Sequence, residues 1–247
     1  RRSLTHVHLS GRLANLVYSM GVTNTDFYAH QYKPLLTLLE SPADGLLIAD
    51  EVGLGKTIEA GIIWTELRAR EDMRRLLIVC PAVLREKWRD ELKLRFGIDA
   101  FIVDASTLVD ELEHSSSMGA PKAWIASYQT LRPPKSWRPS DTPPPKKASG
   151  RVRLAHLLDE HAEEEPLVDL VVFDEAHYMR NPESSVHRLG EMLQKVSQQR
   201  VLLSATPINL HNDDLFHLLQ LCDPEHFQYP SSFQELLLAN QPLVSAR

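Results

Sequence analysis

The amino-acid sequence predicts an α/β fold in which a mostly parallel sheet is sandwiched between helices. Short apolar runs alternate with helical patterns along the chain, which is typical of a parallel sheet wrapped by helices. The runs lack the polar alternation of a half-exposed strand, so each strand is predicted to be buried on both faces. In chain order the runs are residues 46–49, 76–80, 101–103, 124–126, 170–173 and 201–203.

Two helices can be placed next to the first two strands. Residues 57–70 carry isoleucines at helical spacing between the first and the second strand. The next helix carries Leu84, Trp88 and Leu92 at intervals of four residues, and Gly97 is placed to end it.

The second half of the chain interrupts this alternation. Residues 132–153 are rich in proline, lysine and arginine, so we expect a basic, exposed insertion without regular structure. An acidic run at 159–165 is predicted to be a solvated helix end and loop. Residues 213–240 are predicted to form two short helices that an Asp-Pro pair separates.

Composition places the chain among globular proteins with a substantial core, since 43% of its residues are hydrophobic and 24% are charged. Its 27 basic and 33 acidic residues give a net charge of −6, which excludes a wholly basic nucleic-acid binder. Cys80 and Cys222 lie far apart, which argues against a disulfide framework or a zinc ribbon and favours a reducing compartment. No apolar run approaches the roughly 18 residues of a membrane span.

The first residues give an expectation about domain organisation. The chain starts at Arg1 without a methionine and without the apolar stretch of a signal peptide, so we expect a piece of a longer protein. Residues 1–25 are predicted to be an N-terminal extension, and residues 26–247 a single domain that includes the insertion at 132–153.

The strongest functional signal follows the first predicted strand, where residues 49–57 read Ala-Asp-Glu-Val-Gly-Leu-Gly-Lys-Thr. A glycine loop that opens a helix turns backbone N–H groups and the helix dipole toward an anion. Lys56 can then reach the β- and γ-phosphates of a nucleotide, and the Thr57 hydroxyl is placed to bind Mg²⁺. The general P-loop pattern has glycine where this chain has Asp50, so a glycine turn before a core helix remains an alternative.

A second signal is the apolar strand that ends in Asp174 and Glu175. Ligands of open α/β sheets bind at the carboxyl edge, where such a strand delivers its carboxylates. We expect Asp174 to hold Mg²⁺ through a water, and Glu175 to orient or deprotonate the water that attacks the γ-phosphate. Taken alone, a buried strand followed by Asp-Glu is equally common in proteins without such a site.

The third signal is the last apolar run, which small hydroxyl residues follow in the segment 203–207 (Leu-Ser-Ala-Thr-Pro). Ser204 and Thr206 are candidates to form hydrogen bonds with the carboxylate motif at Asp174 and Glu175 and to sense the nucleotide state. Taken alone, an ordinary turn before Pro207 is the commoner interpretation of this segment.

Together and in this order, residues 49–61, 174–177 (Asp-Glu-Ala-His) and 203–207 resemble the motifs of superfamily-two helicases. The amino-acid sequences of these motifs are most similar to those of the Swi/Snf-like branch, in particular the bacterial RapA-like translocases. Residues 30–34, 79–84 and 127–131 match further segments of that family, so the resemblance covers about residues 27–221. An aspartate at the place of Asp50 is usual in that family.

The resemblance implies a RecA-like P-loop domain: the ATP-binding lobe of a DNA-dependent ATPase that uses Mg²⁺ and moves on duplex DNA. The resemblance assigns catalytic roles to Lys56, Asp174 and Glu175. It assigns the binding of Mg²⁺ to Thr57 and Asp174. Gln31 would bond the adenine edge, with Phe27 or Tyr28 against the base, although a surface role for Gln31 is an alternative. The implied nucleotide-binding set is Gln31, Asp50, Glu51, Val52, Gly53, Leu54, Gly55, Lys56 and Thr57.

The resemblance also implies roles in coupling and in nucleic-acid binding. His177, Ser204 and Thr206 would couple nucleotide state to motion, and the less favoured alternative for His177 is that it simply finishes its strand. The residues implied to line the path of one nucleic-acid strand are Pro81, Ala82, Arg85, Ser127 and Gln129. Independently of the family, Arg85, Arg89 and Lys93 share one helix flank, for which a phosphate track and a merely solvated face are equally good interpretations.

Two other classes of function compete with a DNA-dependent ATPase. A P-loop nucleotide kinase would need an acceptor pocket and a lid, and the segments at 174–177 and 203–207 would be unexpected in it. A non-catalytic scaffold with a vestigial nucleotide site has no physical need for all four of Lys56, Thr57, Asp174 and Glu175.

Only 41 residues follow Thr206 (247 − 206), so we expect the second RecA-like lobe of such a motor to be missing from this chain. The expected partners are DNA and other protein subunits, with no membrane, in the bacterial cytoplasm at the nucleoid.

Overall fold

Six parallel strands form the sheet of the computed structural model, which describes residues 28–49, 55–114, 119–140, 142–145, 147–205, 212–231, 233–235 and 237. In chain order the strands are β1 (Gly45–Ile48), β2 (Arg75–Cys80), β3 (Ala100–Ile102), β4 (Lys122–Ser127), β5 (Val168–Asp174) and β6 (Ser197–Leu203). Their spatial order is β1-β6-β5-β2-β4-β3, and every pairing is parallel. The predicted α/β fold is therefore confirmed.

Helices cover both faces of this sheet. In the described residues they are α1 (Lys33–Glu40), α2 (Lys56–Glu71), α3 (Arg85–Phe96), α4 (Ala105–His114), α5 (Tyr128–Leu131), α6 (Gly150–Glu160), α7 (Ser185–Lys195) and α8 (Asn212–Cys222). Both helices predicted in the first half are confirmed as α2 and α3. The left-handed conformation of Gly97 (φ 64°) ends α3, and its amide donates to the Lys93 carbonyl, because glycine takes positive φ without steric cost.

The core consists of two apolar layers, one on each face of the sheet. Alternate residues of β2 show the division: Leu77 and Val79 belong to the layer under α4, α6, α7 and α8, and Leu76 and Ile78 to the layer under α1, α2 and α3. Each fully buried aliphatic side chain contributes roughly 1.5–3 kcal/mol. The prediction of burial on both faces is thus confirmed for β2.

That prediction is wrong for β3. Phe101, the middle residue of this strand, is 62% exposed, because β3 is the last strand of the sheet and pairs with β4 alone. A run of three apolar residues carries no sign of whether its strand lies at an edge of the sheet.

The basic insertion also needs a correction at its end. The described residues of 132–149 contain turns but no helix or strand, as predicted, whereas 150–153 already belong to α6. Gly150 lets α6 approach α4, since a Cβ there would lie 2.2 Å from the Ser106 Oγ. The acidic run is confirmed as the end of α6 and an exposed loop.

The C-terminal region agrees with the expected pair of helices as far as it is described. Helix α8 ends at Cys222, just before Asp223 and Pro224, and the described residues of 230–237 are again helical. The expected N-terminal extension, residues 1–25, lies outside the described residues. In the described part of the chain, no helix combines the length and the apolar character that crossing a membrane requires.

The parallel arrangement brings the sequence signals to one edge of the sheet. β1, β2, β4, β5 and β6 all end at the same edge, because each pairs in parallel with its neighbours. Apart from Gln31, the candidate residues lie at the last position of these strands or in the segments that follow them.

Candidate active site

The start of α2 supplies the positive side of the site. Gly55 precedes the helix in a left-handed conformation (φ 98°), and Lys56 is its first residue. A side chain at position 55 would be strained by that φ, and its Cβ would lie 2.5 Å from the Gln31 Nε2. Glycine is therefore required at this position for the backbone and for the approach of Gln31.

Gln31 belongs to the 3₁₀ turn Ala29–Tyr32 and is only 5% exposed. The structure therefore rules out the alternative of a surface role and places its amide against the last glycine of the loop. Tyr28 is 52% exposed. Phe27 lies outside the described residues, and so do the remaining residues of the glycine loop that were assigned to the nucleotide (Asp50, Glu51, Val52, Gly53 and Leu54).

The end of β5 supplies the negative side of the site. Asp174 is 8% exposed, and its Oδ2 accepts a hydrogen bond from the Trp88 Nε1 at 2.8 Å, while its Oδ1 accepts from the Glu175 amide at 2.9 Å. Burial raises the pKa of the Asp174 carboxyl above its usual range, although the Trp88 bond and the charge of Lys56 act in the opposite direction.

Glu175 adopts a left-handed backbone conformation (φ 55°), which costs a non-glycine residue of the order of 1–3 kcal/mol; such residues cluster at functional sites, although Asp72 takes the same φ at the end of α2. Its Oε2 lies 3.1 Å from the Nδ1 of His177, whose ring stacks on Tyr178 with centroids 4.6 Å apart. The His177 ring is thus turned back toward the Glu175 carboxylate.

The start of α2 and the end of β5 line one cavity of about 390 Å³. It brings together five predicted residues from α2, β5 and their flanks: Gly55, Lys56, Thr57, Asp174 and Glu175. Ser204 is fully buried, and its amide donates to the Ile48 carbonyl at 2.9 Å, so it ties the end of β6 to β1. Its neighbour Ala205 reaches the cavity, whereas Thr206 lies outside the described residues.

Sequence analysis missed one wall of this cavity. Lys87, Glu91 and Arg95 line it from α3, and Arg95 forms an ion pair with Glu91. Their four-residue spacing on one flank of α3 could have indicated this wall. The sequence analysis interpreted the same spacing only on the neighbouring flank, at Arg85, Arg89 and Lys93.

The donor set fits a nucleoside triphosphate with Mg²⁺. The N-terminus of α2 and Lys56 present positive charge to phosphates, and the hydroxyl of Thr57 and the carboxylate of Asp174 are oxygen ligands of the kind that Mg²⁺ prefers. Mg²⁺ bound to phosphates takes only one or two carboxylates. Such a site needs no larger cluster, and the described residues contain no group of three or more His, Cys, Asp or Glu that could hold a metal.

The nucleic-acid candidates follow β2 and β4, which are neighbours in the sheet. Ala82 and Gln129 are exposed, Pro81 and Arg85 are partly exposed, and Arg85 donates through its Nε to the Ala82 carbonyl at 3.1 Å. Ser127 is only 1% exposed, and its hydroxyl caps α5 by accepting from the Thr130 amide. The structure thus gives Ser127 a structural role.

The basic flank of α3 is largely neutralised within the fold. Arg89 pairs with Glu86 and Asp90, and Lys93 pairs with Asp99. These ion pairs favour the solvated-face interpretation for Arg89 and Lys93 over a phosphate track.

Comparison with known proteins gives one consistent result. Residues 29–243 match the family model of the SNF2-related domain. The RNA polymerase-associated protein RapA of Stutzerimonas stutzeri (strain A1501) is 30% identical over 245 residues, which are 97% of this chain and 23% of that protein. RapA of Pseudomonas putida (strain GB-1) is 28% identical over 246 residues, with the same coverage of 97% and 23%. The chain thus spans about a quarter of the length of these relatives.

A solved structure has the same fold. The Sulfolobus solfataricus SWI2/SNF2 ATPase core in complex with dsDNA aligns with 87% of this chain and 39% of its own, at a TM-score of 0.60 and 19% identity. The predicted RecA-like architecture is therefore confirmed.

Proposed function

This chain belongs to the SNF2-related domain family, and on that premise we propose that it is the ATP-binding lobe of a DNA-dependent ATPase that moves on duplex DNA. One observation carries the proposal: Lys56 at the start of α2 and the carboxylates of Asp174 and Glu175 at the end of β5 face the same cavity. Such a pair of opposite charges at the carboxyl edge of a parallel sheet suits phosphoryl transfer from a nucleotide.

The phosphates would lie at the N-terminus of α2, where the first amides of the helix and Lys56 counter their charge. Thr57 and Asp174 would hold Mg²⁺, which when bound neutralises charge on the β- and γ-phosphates. Gln31 would bond the base, because its buried amide already lies against Gly55. The loop residues 50–54 complete this set by their place in the family pattern.

Glu175 would act as general base. A carboxylate accepts the proton of the attacking water as the bond to phosphorus forms, which typically contributes about 10²–10⁴-fold to the rate. The proximity of His177 to the Glu175 carboxylate supports its role as a coupling residue. Ser204 and Thr206 are proposed to report the nucleotide state from the end of β6, which adjoins both β1 and β5.

Duplex DNA would lie across the ends of β2 and β4. Ala82 and Gln129 are exposed there, beside Pro81 and Arg85, and Ser127 shapes the second segment by capping α5. The Sulfolobus relative in complex with dsDNA supports a duplex as the substrate. We propose that the whole protein acts in the bacterial cytoplasm at the nucleoid, with protein partners and with a second RecA-like lobe. The similarity to the RNA polymerase-associated RapA proteins of bacteria supports this proposal.

The activity is tested by phosphate release from Mg-ATP by the full-length protein, with and without duplex DNA. The proposal expects phosphate release that DNA stimulates and that Glu175→Gln abolishes, which excludes a contaminating ATPase. Transfer of phosphate to an acceptor without release to water would indicate a kinase instead. Nucleotide binding without any turnover would indicate a scaffold.

The DNA surface is tested by the salt dependence of duplex binding. Arg85→Ala should weaken binding and reduce the magnitude of the slope of log K against log salt by about one if Arg85 contacts one phosphate. Arg89→Ala on the same helix is the matched control, because Glu86 and Asp90 already balance Arg89. Equal effects of the two substitutions would mean that α3 contributes only general charge.

A further inference from the structure

Trp88 occupies a position that the proposed reaction does not use. It lies on α3, is 2% exposed, and donates its indole N–H to the Oδ2 of Asp174 across 86 residues of sequence. The apolar stripe of α3 accounts for the burial of its ring. A purely apolar position, however, would be filled without an N–H group that needs a buried acceptor.

The hydrogen bonds at Asp174 leave its orientation dependent on Trp88. The Oδ1 accepts the amide of the next residue, Glu175, and the Oδ2 accepts the indole N–H. An ionised carboxylate has about four lone-pair sites, so two bonds fix the carboxylate plane and still leave acceptor capacity on both oxygens. The backbone is held separately, since the Tyr128 hydroxyl donates to the Asp174 carbonyl at 2.9 Å.

We propose that Trp88 is a positioning residue for the metal carboxylate: its N–H holds Asp174 in the orientation in which the carboxylate receives Mg²⁺ with the nucleotide. The inference rests on the proposed function, because it concerns the carboxylate assigned to the cation. Groups that orient a metal ligand from behind typically change metal affinity or activity by about 10- to 100-fold when they are removed.

The position of Trp88 also shows why a tryptophan serves this purpose. Its ring packs in the core layer under α1, α2 and α3, so the donor is carried by a side chain that cannot rotate away. A surface donor such as lysine would bring a mobile charge that competes with the cation. The indole supplies a fixed, uncharged N–H group.

The test compares nucleotide affinity with and without the cation in the full-length protein. A non-hydrolysable ATP analogue is titrated calorimetrically in Mg²⁺ and again in EDTA, and the ratio of the two affinities is the gain due to Mg²⁺. Trp88→Phe should lower this gain by about 10- to 100-fold and leave the affinity in EDTA unchanged. In an Asp174→Asn background the same substitution should change nothing further.

Trp124→Phe is the matched control. Trp124 is 1% exposed and packs in the other core layer, so this substitution reports the cost of losing a buried indole as such. It should lower the melting temperature as the loss of a buried indole does, whereas the gain due to Mg²⁺ should stay at the wild-type value.

A second variant covers the case in which Trp88→Phe does not fold. Incorporation of 3-benzothienylalanine at position 88 keeps the bicyclic shape and replaces the N–H group by sulfur, so it removes the donor alone. The same loss of the Mg²⁺ gain is expected.

The outcomes separate this inference from the function on which it rests. An undiminished gain in the benzothienyl variant, or an equal loss in Mg²⁺ and in EDTA, overturns the positioning role while the ATP site stands. A wild-type protein that binds the analogue without any gain from Mg²⁺ overturns the proposed function itself.

Discussion

Strand β5 carries an aspartate near each end, and the two are equally buried but differ in their hydrogen-bond partners. Asp169 and Asp174 are each 8% exposed. Asp169 accepts the amides of Arg74 and Arg75 at 2.6 and 2.7 Å and the guanidinium of Arg75 at 2.6 and 3.1 Å. Asp174 accepts one indole N–H and one amide.

The difference lies in the charge of the partners. The guanidinium of Arg75 neutralises Asp169, so the amino end of β5 is held as a closed ion pair. No guanidinium pairs with Asp174 in the described residues, burial raises the pKa of its carboxyl, and Asp174 lines a cavity that Lys56 also lines. Equal burial therefore marks a structural carboxylate at one end of the strand and a candidate cation ligand at the other.

The largest expected effect lies at the carboxyl end of the strand. Glu175→Gln should lower ATP turnover about 10²–10⁴-fold, because the amide keeps the shape of the side chain but cannot accept the proton of water. Nucleotide affinity and melting temperature should stay near wild type. The check is steady-state phosphate release by the full-length variant, with calorimetry for binding. Near-normal turnover would assign the base elsewhere.

A smaller effect is expected from Lys56→Ala. Loss of a hydrogen bond to a charged group typically costs about 1.5–3 kcal/mol, so ATP affinity should fall roughly 10- to 100-fold, while the melting temperature changes little because Lys56 lines the cavity. Lys93→Ala removes a surface lysine that pairs with Asp99 and should leave affinity unchanged. Calorimetric titration distinguishes the two. Unchanged binding by the Lys56 variant would remove the basis of the phosphate site.

The smallest effect is expected at the two cysteines, Cys80 and Cys222, whose thiols should not react in the folded protein. Burial raises the pKa of Cys80 at the end of β2 to about 12, to which the charge of Asp174 adds, and burial also raises the pKa of Cys222 to about 12. At pH 8 the reactive thiolate fraction is then about 10⁻⁴. Neither cysteine should be alkylated by iodoacetamide in the folded protein, and both should be after unfolding in urea, as mass spectrometry can follow.

Selective alkylation of Cys80 at pH 8 would contradict the burial of the functional edge. Alkylation of both cysteines at similar rates would indicate unfolding of the whole sheet instead. The pattern of labelling therefore compares the functional edge at Cys80 with the end of α8 at Cys222.

Local sequence patterns were sufficient to predict the strands, the helix after the glycine loop and the carboxylates at the end of β5. These features depend on residues that are close in sequence, such as the run of apolar residues before Asp174. The edge position of Phe101 was not predictable, because strand order is a property of the whole sheet. The capping role of Ser127 was missed in favour of a family resemblance.

The partners of the two aspartates were equally out of reach of sequence reasoning. Arg75 and Asp169 are 94 residues apart, and Trp88 and Asp174 are 86 apart. The sequence shows an aspartate at each end of one apolar strand and does not show which of them meets a guanidinium. That pairing follows from the parallel neighbourhood of β2 and β5.

One paired measurement tests the account most directly: thermal and urea unfolding, together with the gain in nucleotide affinity due to Mg²⁺, for Asp169→Asn and Asp174→Asn. Asp169→Asn leaves Arg75 without its buried counter-charge, so the free energy of unfolding should fall by about 3–5 kcal/mol, with the Mg²⁺ gain unchanged. Asp174→Asn removes a charge that burial disfavours and keeps an acceptor for Trp88. Its stability should therefore stay within about 1.5 kcal/mol of wild type, while the Mg²⁺ gain is lost. A stable Asp169 variant that loses the Mg²⁺ gain, or an unstable Asp174 variant that keeps it, would contradict the division of β5 into a structural and a functional end.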